Sequence, residues 1–280
     1  MKLIDTHAHV NFNSYRNDSE EVLSRALEND TWVINVGSQF STSRRAIRIA
    51  ENYEEGVYAA VGLHPVHLMR ANVDEEDMQF ESRAEEFDYE AYKVLAKNKK
   101  AVAIGEIGLD YYHIKERIKE GADEKKVREI KNKQKEVFIN QFELAQELDL
   151  PIIIHCREAH NDLIEIITKL KIHHPHFKGV IHCFDGDLEL AKKYFDLGLM
   201  ISFTGLITFV KGYEWIRDIP ENKFMIETDS PYLTPVPKRG ERNEPLNVKF
   251  VAEKIGEFRG ISDEKVAEIT TKNAMEFFNI

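Results

Sequence analysis

The chain has 280 residues, 42% hydrophobic and 31% charged, which excludes an intrinsically disordered protein. Its net charge of −11 excludes a broadly basic nucleic-acid binder, though not a nuclease that carries its positive charge as metal ions. Two cysteines, Cys156 and Cys183, are too few for a disulfide framework. No apolar run approaches the roughly 20 residues of a spanning helix, and the opening Met1-Lys2-Leu3-Ile4-Asp5 lacks the apolar core of a signal peptide. A cytoplasmic protein with free thiols is the expectation.

The first apolar run, residues 3–5, leads directly into Thr6-His7-Ala8-His9. Alternate side chains of a strand share a face, so His7 and His9 would point to one side and could grip one ion, whereas a helix would set them about 200° apart. Seven further short apolar runs follow at 32–36, 58–61, 101–104, 151–154, 179–181, 199–203 and 224–226. Between them, apolar positions three and four apart predict helices over 20–29, 43–52, 89–98, 131–148, 161–170 and 188–197, with 248–259 and 263–278 closing the chain. Strand and helix alternate without a Pro- or Gly-rich linker, which predicts one (β/α)8 TIM barrel spanning residues 1–280 rather than a doubly wound sheet. The acidic Asp74-Glu75-Glu76-Asp77 and the Lys/Glu-rich stretch 115–126 read as solvated surface.

Metal-type side chains recur where predicted strands finish. His7 and His9 close the first strand, His64 follows the third, Glu106 ends the fourth, His155 the fifth, His182 the sixth and Asp229 the eighth. Barrel enzymes build their sites on that C-terminal rim, so these residues are expected to converge in one pocket. A carboxylate buried there alone would be costly, which favours coordination or pairing. His173, His174 and His176 precede the sixth strand, at the opposite end of the barrel, and are expected to be surface histidines. Cys156 and Cys183 each follow a candidate ligand by one residue, so the strand period turns them outward to pack against helices. His67, His113 and His160 lie on or near rim loops and receive no role.

Six segments carry a family resemblance: Asp5-Thr6-His7-Ala8-His9, Gly62-Leu63-His64-Pro65, Gly105-Glu106-Ile107-Gly108-Leu109-Asp110-Tyr111, His155-Cys156-Arg157-Glu158-Ala159, His182-Cys183-Phe184-Asp185-Gly186 and Glu227-Thr228-Asp229-Ser230-Pro231-Tyr232. In this order they resemble the TatD family of metal-dependent deoxyribonucleases within the amidohydrolase-like barrels, as do Pro235-Val236-Pro237-Lys238-Arg239-Gly240 and Arg242-Asn243-Glu244-Pro245 downstream. The stretch after Tyr112 looks longer than usual for that family, and Glu158 and Asp185 stand where aspartate and a small hydroxyl residue are often found.

The resemblance implies two divalent metal ions, Zn²⁺, Mg²⁺ or Mn²⁺. One would be held by His7, His9 and Asp229, the other by His155 and His182, with Glu106 bridging them. Asp229 could also take the proton of the attacking water, as a carboxylate that ligates on one oxygen and accepts a hydrogen bond on the other can. His64 is not needed for either ligand set and is expected to contact a substrate phosphate or the nucleophile. Arg157, Lys238, Arg239 and Arg242 are candidate phosphate contacts, because a guanidinium matches phosphate oxygens bidentately. Tyr111, Tyr112 and Phe184 are candidates for base stacking, with a packing role as the alternative. DNA is the expected substrate, with no membrane and no obligate protein partner. A hydrolase acting through the same metals on a small-molecule ester, amide or phosphoester is the alternative, and a binding protein with a vestigial site is the third class.

Overall fold

A computed structural model describes residues 2–69, 72–75, 78–81, 84–119 and 123–280, with backbone alone at 72–75, 78–81 and 116–119. The strands in chain order are β1 (Leu3–Ala8), β2 (Thr31–Val36), β3 (Val57–Val61), β4 (Asn72–Glu75), β5 (Met78–Glu81), β6 (Ala101–Asp110), β7 (Ile152–Arg157), β8 (Gly179–Ile181), β9 (Met200–Phe203) and β10 (Phe224–Ile226). All but β4 and β5 form one parallel sheet in the order β1-β2-β3-β6-β7-β8-β9-β10. The two ends approach at the rim, where Ala8 bridges Ser230, the His9 N–H donates to Ser230 O at 2.7 Å and the Asp229 N–H donates to His7 O at 2.8 Å. With helices between the strands, this is the expected (β/α)8 TIM barrel.

The helices are α1 (Ser19–Glu28), α2 (Phe40–Ala50), α3 (Tyr89–Ala96), α4 (Tyr112–Lys119), α5 (Glu124–Glu147), α6 (His160–His173), α7 (Leu188–Asp196), α8 (Val248–Arg259) and α9 (Asp263–Phe278). Several begin at side-chain caps, where Asp88, Asp123, Asp187 and Ser262 each accept a backbone N–H of the first turn. Inside the barrel, Ile4, Ile34, Val36, Val102, Ile153 and Met225 pack together, and α9 inserts Phe277 and Phe278 to close the bottom of that layer. The mouth at the other end is left to polar side chains. No helix among the described residues is long and apolar enough to cross a membrane.

Four expectations need correction. β6 runs for 10 residues where four were expected, so Glu106 lies inside the strand and Asp110 ends it. β10 stops at Ile226, and Asp229 stands beyond it in a left-handed conformation (φ 54°), a backbone state that L-residues adopt at a cost of order 1–2 kcal/mol. The antiparallel pair β4 and β5 was not anticipated; the side chains of Asp74-Glu75-Glu76-Asp77 lie outside the described residues. α5 begins at Glu124 rather than at 131; the stretch 115–126 is surface as expected where its side chains are described, with Lys115 and residues 123–126 exposed.

Irregularities in the ladder aim the rim residues. The β1/β2 register shifts between Asp5 and Ala8, and the β6/β7 register shifts between Ile104 and Ile107, at the two places where His7 and Glu106 must turn into the mouth. Gly108 then lets β6 continue alongside β7: its φ is +150°, and a Cβ there would lie 1.9 Å from His155 O.

Candidate metal centre

Six side chains meet in the mouth. His7 Nε2 and His9 Nε2 are 3.1 Å apart, and Asp229 Oδ1 lies 3.4 Å from the second and 3.8 Å from the first. On the other side, Glu106 Oε1 is 2.9 Å from both His155 Nδ1 and His182 Nε2. The second Glu106 oxygen, Oε2, turns the opposite way, 3.4 Å from His7 Nε2 and 3.9 Å from His9 Nε2. Two of the four groups of donor atoms that lie within one ion's reach among the described residues are His7–His9–Asp229 and Glu106–His155–His182; a third is His7–His182–Glu227. Their makeup, imidazole nitrogens and carboxylate oxygens converging within one ion's reach, suits a divalent metal.

Hydrogen bonds at the far side of each ring determine which nitrogen is free to ligate. His9 Nδ1 faces Val36 O at 2.8 Å and must donate to it, leaving a bare lone pair on Nε2 in the neutral ring. His182 Nδ1 faces Glu227 Oε1 at 3.2 Å and His155 Nε2 faces Asp110 Oδ2 at 3.1 Å, so each ring presents its other nitrogen to Glu106. His64 differs. Its Nδ1 accepts the Val66 N–H at 3.1 Å, so the neutral ring carries its proton on Nε2, 3.5 Å from Glu106 Oε1. That nitrogen donates and has no lone pair to offer a metal, although His64, Asp110 and His155 also lie within reach of one another.

The charges respond to this crowding. Burial pushes the Glu106 carboxyl upward, but His182, His64, His7 and the hydrogen bond from His155 overcome it and hold the group well below the carboxylate range. Asp110 is likewise held low against burial by His113 and His155. Burial lowers His155, yet Asp110 and Glu106 lift it to about 9. His182 is raised well above the ordinary imidazole value because Glu106 and Glu227 outweigh its burial. His7 and His64 move down, through burial and the neighbouring His182 and His155.

In the metal-free protein, a raised His155 adds stability that is complete below its ordinary pKa of 6.5 and is lost as pH climbs to about 9. The metal-free thermal midpoint is therefore expected to fall across that window. A ligating imidazole must be neutral, so metal uptake at pH 7.5 should release protons, and more of them than at pH 9.5. Proton release measured by calorimetry in buffers of different ionisation enthalpy checks this; equal release at both pH values would contradict it.

Asp110 and Glu227 were missed as site residues, though both stand in the motifs quoted above. Each is a buried carboxylate in or just beyond a strand. Glu227 also accepts from Cys183 N at 2.6 Å and Ser202 Oγ at 2.5 Å. Replacing it by Gln should cost about 10–100-fold in metal affinity, as is typical for a group that orients a ligating histidine. A competitive chelator titration checks this, and unchanged affinity would show that the charge of Glu227 is not needed to orient His182.

The basic candidates divide. Arg157, the last residue of β7, lies over the Tyr112 ring, 3.9 Å from its centroid, and Arg239, in the loop after β10, lies over Phe209 at 4.1 Å. Arg242 instead pairs with Asp18, donates to Ser14 O at 2.6 Å and covers Tyr15, which pins the loop after β10 to the start of α1. Lys238 lies 3.3 Å from Glu241. Phe184 and Tyr111 are buried, and Tyr111 donates to Asp162 at 2.5 Å, so both pack; Tyr112 is exposed.

Cys156 packs outward as expected, against His160 and Tyr194. Cys183 does not: it lies past the end of β8 at φ 46°, where the strand period no longer applies, with its Sγ 3.6 Å from Thr204 Oγ1. His173 and His176 are exposed near the end of α6, and His174 faces Glu143 there at 3.5 Å. His113 is held by Asp110 at 2.9 Å and His67 by Ser38 at 3.2 Å.

Residues 4–279 match a sequence profile described as TatD related DNase. The chain is 40% identical over 282 residues to the uncharacterized metal-dependent hydrolase YabD of Bacillus subtilis, covering 99% of each. It is 33% identical over 287 residues to YcfH of Escherichia coli, also named an uncharacterized metal-dependent hydrolase, covering 100% of this chain and 97% of that one. Among solved structures, the TatD homologue YJJV from Escherichia coli superposes with a TM-score of 0.80 at 27% identity, over 99% of this chain and 98% of its own. Full-length profile agreement, this level of identity and the shared barrel together place the chain in the TatD family, whose curated relatives are named metal-dependent hydrolases.

Proposed function

We propose that one barrel domain, residues 1–280, hydrolyses phosphodiester bonds of DNA using two divalent ions, Zn²⁺, Mg²⁺ or Mn²⁺, in the mouth. The observation that carries this reading is Glu106, which sends one oxygen toward His7 and His9 and the other toward His155 and His182. Such a pair of ions supplies Lewis-acid stabilisation of phosphoryl charge and acidifies water. Asp229, the ligand-type carboxylate with the greatest exposure at 15%, takes the proton of the attacking water. His64 donates its Nε2–H to a phosphate oxygen, and Arg157 and Arg239 contact phosphate from the rim. The family description, TatD related DNase, supports a nucleic-acid substrate. The net charge of −11 favours the alternative, a small-molecule ester, amide or phosphoester hydrolysed at the same site.

The test is turnover of defined single- and double-stranded oligonucleotides, a chromogenic phosphodiester and simple carboxyl esters against a panel of divalent ions, with Glu106→Ala as control. Metal-dependent oligonucleotide cleavage that Glu106→Ala abolishes is expected. Cleavage of the small esters alone would replace the nuclease reading by its alternative.

A further inference from the structure

The segment Arg242-Asn243-Glu244-Pro245 carries part of the family resemblance but supplies none of the six side chains that meet in the mouth. Asn243 is nonetheless fully buried, at 0% exposure. Its amide Nδ2 donates to two backbone carbonyls, Thr228 O at 3.1 Å and Tyr232 O at 2.6 Å, and its own backbone N–H donates to Pro231 O at 3.2 Å. These three acceptors bracket Asp229.

Asp229 needs such support. It stands past the end of β10 with φ 54°, a costly state that persists only where the surroundings hold it. The five carbonyls from Thr228 to Tyr232 all have donors: Asp229 O accepts from the Tyr232 N–H at 2.9 Å, Ser230 O from the His9 N–H at 2.7 Å, and the other three from Asn243. One residue therefore closes the turn that presents Asp229 and that also ties down the backbone of His9.

The amide is itself fixed. Its oxygen accepts the Glu244 N–H and Asn247 Nδ2, each at 2.9 Å, which leaves Nδ2 for the turn, and the Asn243 carbonyl accepts the Tyr15 hydroxyl. To either side, Arg242 pairs with Asp18, the N-cap of α1, and Glu244 pairs with Arg25 of α1 at 2.9 Å, so the segment is moored at both ends. Aspartate would fill the space of Asn243, but a carboxylate has no N–H to give either carbonyl.

We propose that Asn243 is a positioning residue: by spanning the turn it sets the Asp229 carboxylate, 3.4 Å from His9 Nε2, and with it the geometry of the His7–His9–Asp229 group. The proposal rests on the reading of Asp229 as ligand and base given above.

Asn273 supplies a matched control. It is buried too, and its Nδ2 donates to Glu221 O at 2.6 Å and Phe224 O at 2.8 Å, at the end of β10 away from the mouth. Asn243→Asp and Asn273→Asp thus remove the same kind of paired donation beyond opposite ends of one strand. Amide hydrogen exchange in the metal-free protein should quicken at least about ten-fold at Asp229 and Tyr232 in Asn243→Asp, and stay within about two-fold of the parent at those amides in Asn273→Asp. Zn²⁺ affinity is read by chelator competition in the His155→Ala background, so that His7, His9 and Asp229 hold the ion. It should fall about 10–100-fold with Asn243→Asp and not with Asn273→Asp. In the otherwise unaltered enzyme, Asn243→Asp should lower kcat at least about ten-fold with KM near the parental value.

Unchanged exchange and Zn²⁺ affinity in Asn243→Asp, or equal changes in Asn273→Asp, would overturn the proposal. If Asn243→Asp does not fold, Arg25→Gln/Arg242→Gln, which unmoors the segment from α1, decides: faster exchange at Asp229 and Tyr232 upholds the positioning role, and parental exchange overturns it. Absence of Zn²⁺ binding by the His155→Ala protein is a separate result, which removes the reading of Asp229 as a ligand while exchange still decides whether Asn243 sets the turn.

Discussion

Glu106→Gln is expected to lower turnover by at least about 10³-fold and to deplete metal from both groups of donors together, whereas His155→Ala should chiefly empty one. The reason is geometric. Glu106 faces five ring nitrogens: Oε2 lies 3.4 and 3.9 Å from those of His7 and His9, and Oε1 lies 2.9 Å from those of His155 and His182 and 3.5 Å from that of His64. Gln keeps one oxygen and replaces the other by an amide that cannot ligate, and it removes the negative charge that balances two ions. Several kcal/mol of charge stabilisation are at stake, and each 1.36 kcal/mol is a factor of ten in rate. Elemental analysis and turnover on the same samples decide the matter. Two full equivalents of metal in Glu106→Gln would show that each group binds its ion independently.

For Asp229, rate should suffer more than fold. Its carboxylate sits 3.4 Å from His9 Nε2 and is held below its ordinary value, where burial is outweighed by His9, His182 and His7. It is therefore an available base throughout the neutral range. Asn preserves size and one ligand oxygen but removes the basic site. Loss of general-base help should lower turnover about 10²–10⁴-fold. The backbone that presents Asp229 is held by its own N–H bond to His7 O, so the thermal midpoint should stay near that of the parent. Metal loss could imitate the effect, which requires occupancy to be measured alongside. Near-parental turnover with full metal would make Asp229 a ligand and nothing more.

Much of this was legible in the chain. Every barrel strand coincides with an apolar run, because a parallel strand covered on both faces has to be apolar throughout. The spacing of His7 and His9, and the position of His155 and His182 at strand ends, were enough to expect convergence on the rim. Strand lengths were not. β6 continues through Glu106 to Asp110, where polar residues interrupt the apolar run, because hydrogen bonds from β7 sustain it there.

What the sequence by itself determined was the barrel, its orientation and the six side chains that meet in its mouth, since apolar periodicity and residue type are local properties. Only the tertiary structure decided the rest. It showed that register shifts in β1 and β6 aim His7 and Glu106, that Asp110 and Glu227 back His155 and His182, and that the Val66 N–H leaves His64 a donor. It also drew Arg242 away to Asp18, 224 positions distant in the chain. Each of these depends on which distant groups come within hydrogen-bonding reach, and that is fixed only when the ring of strands comes together.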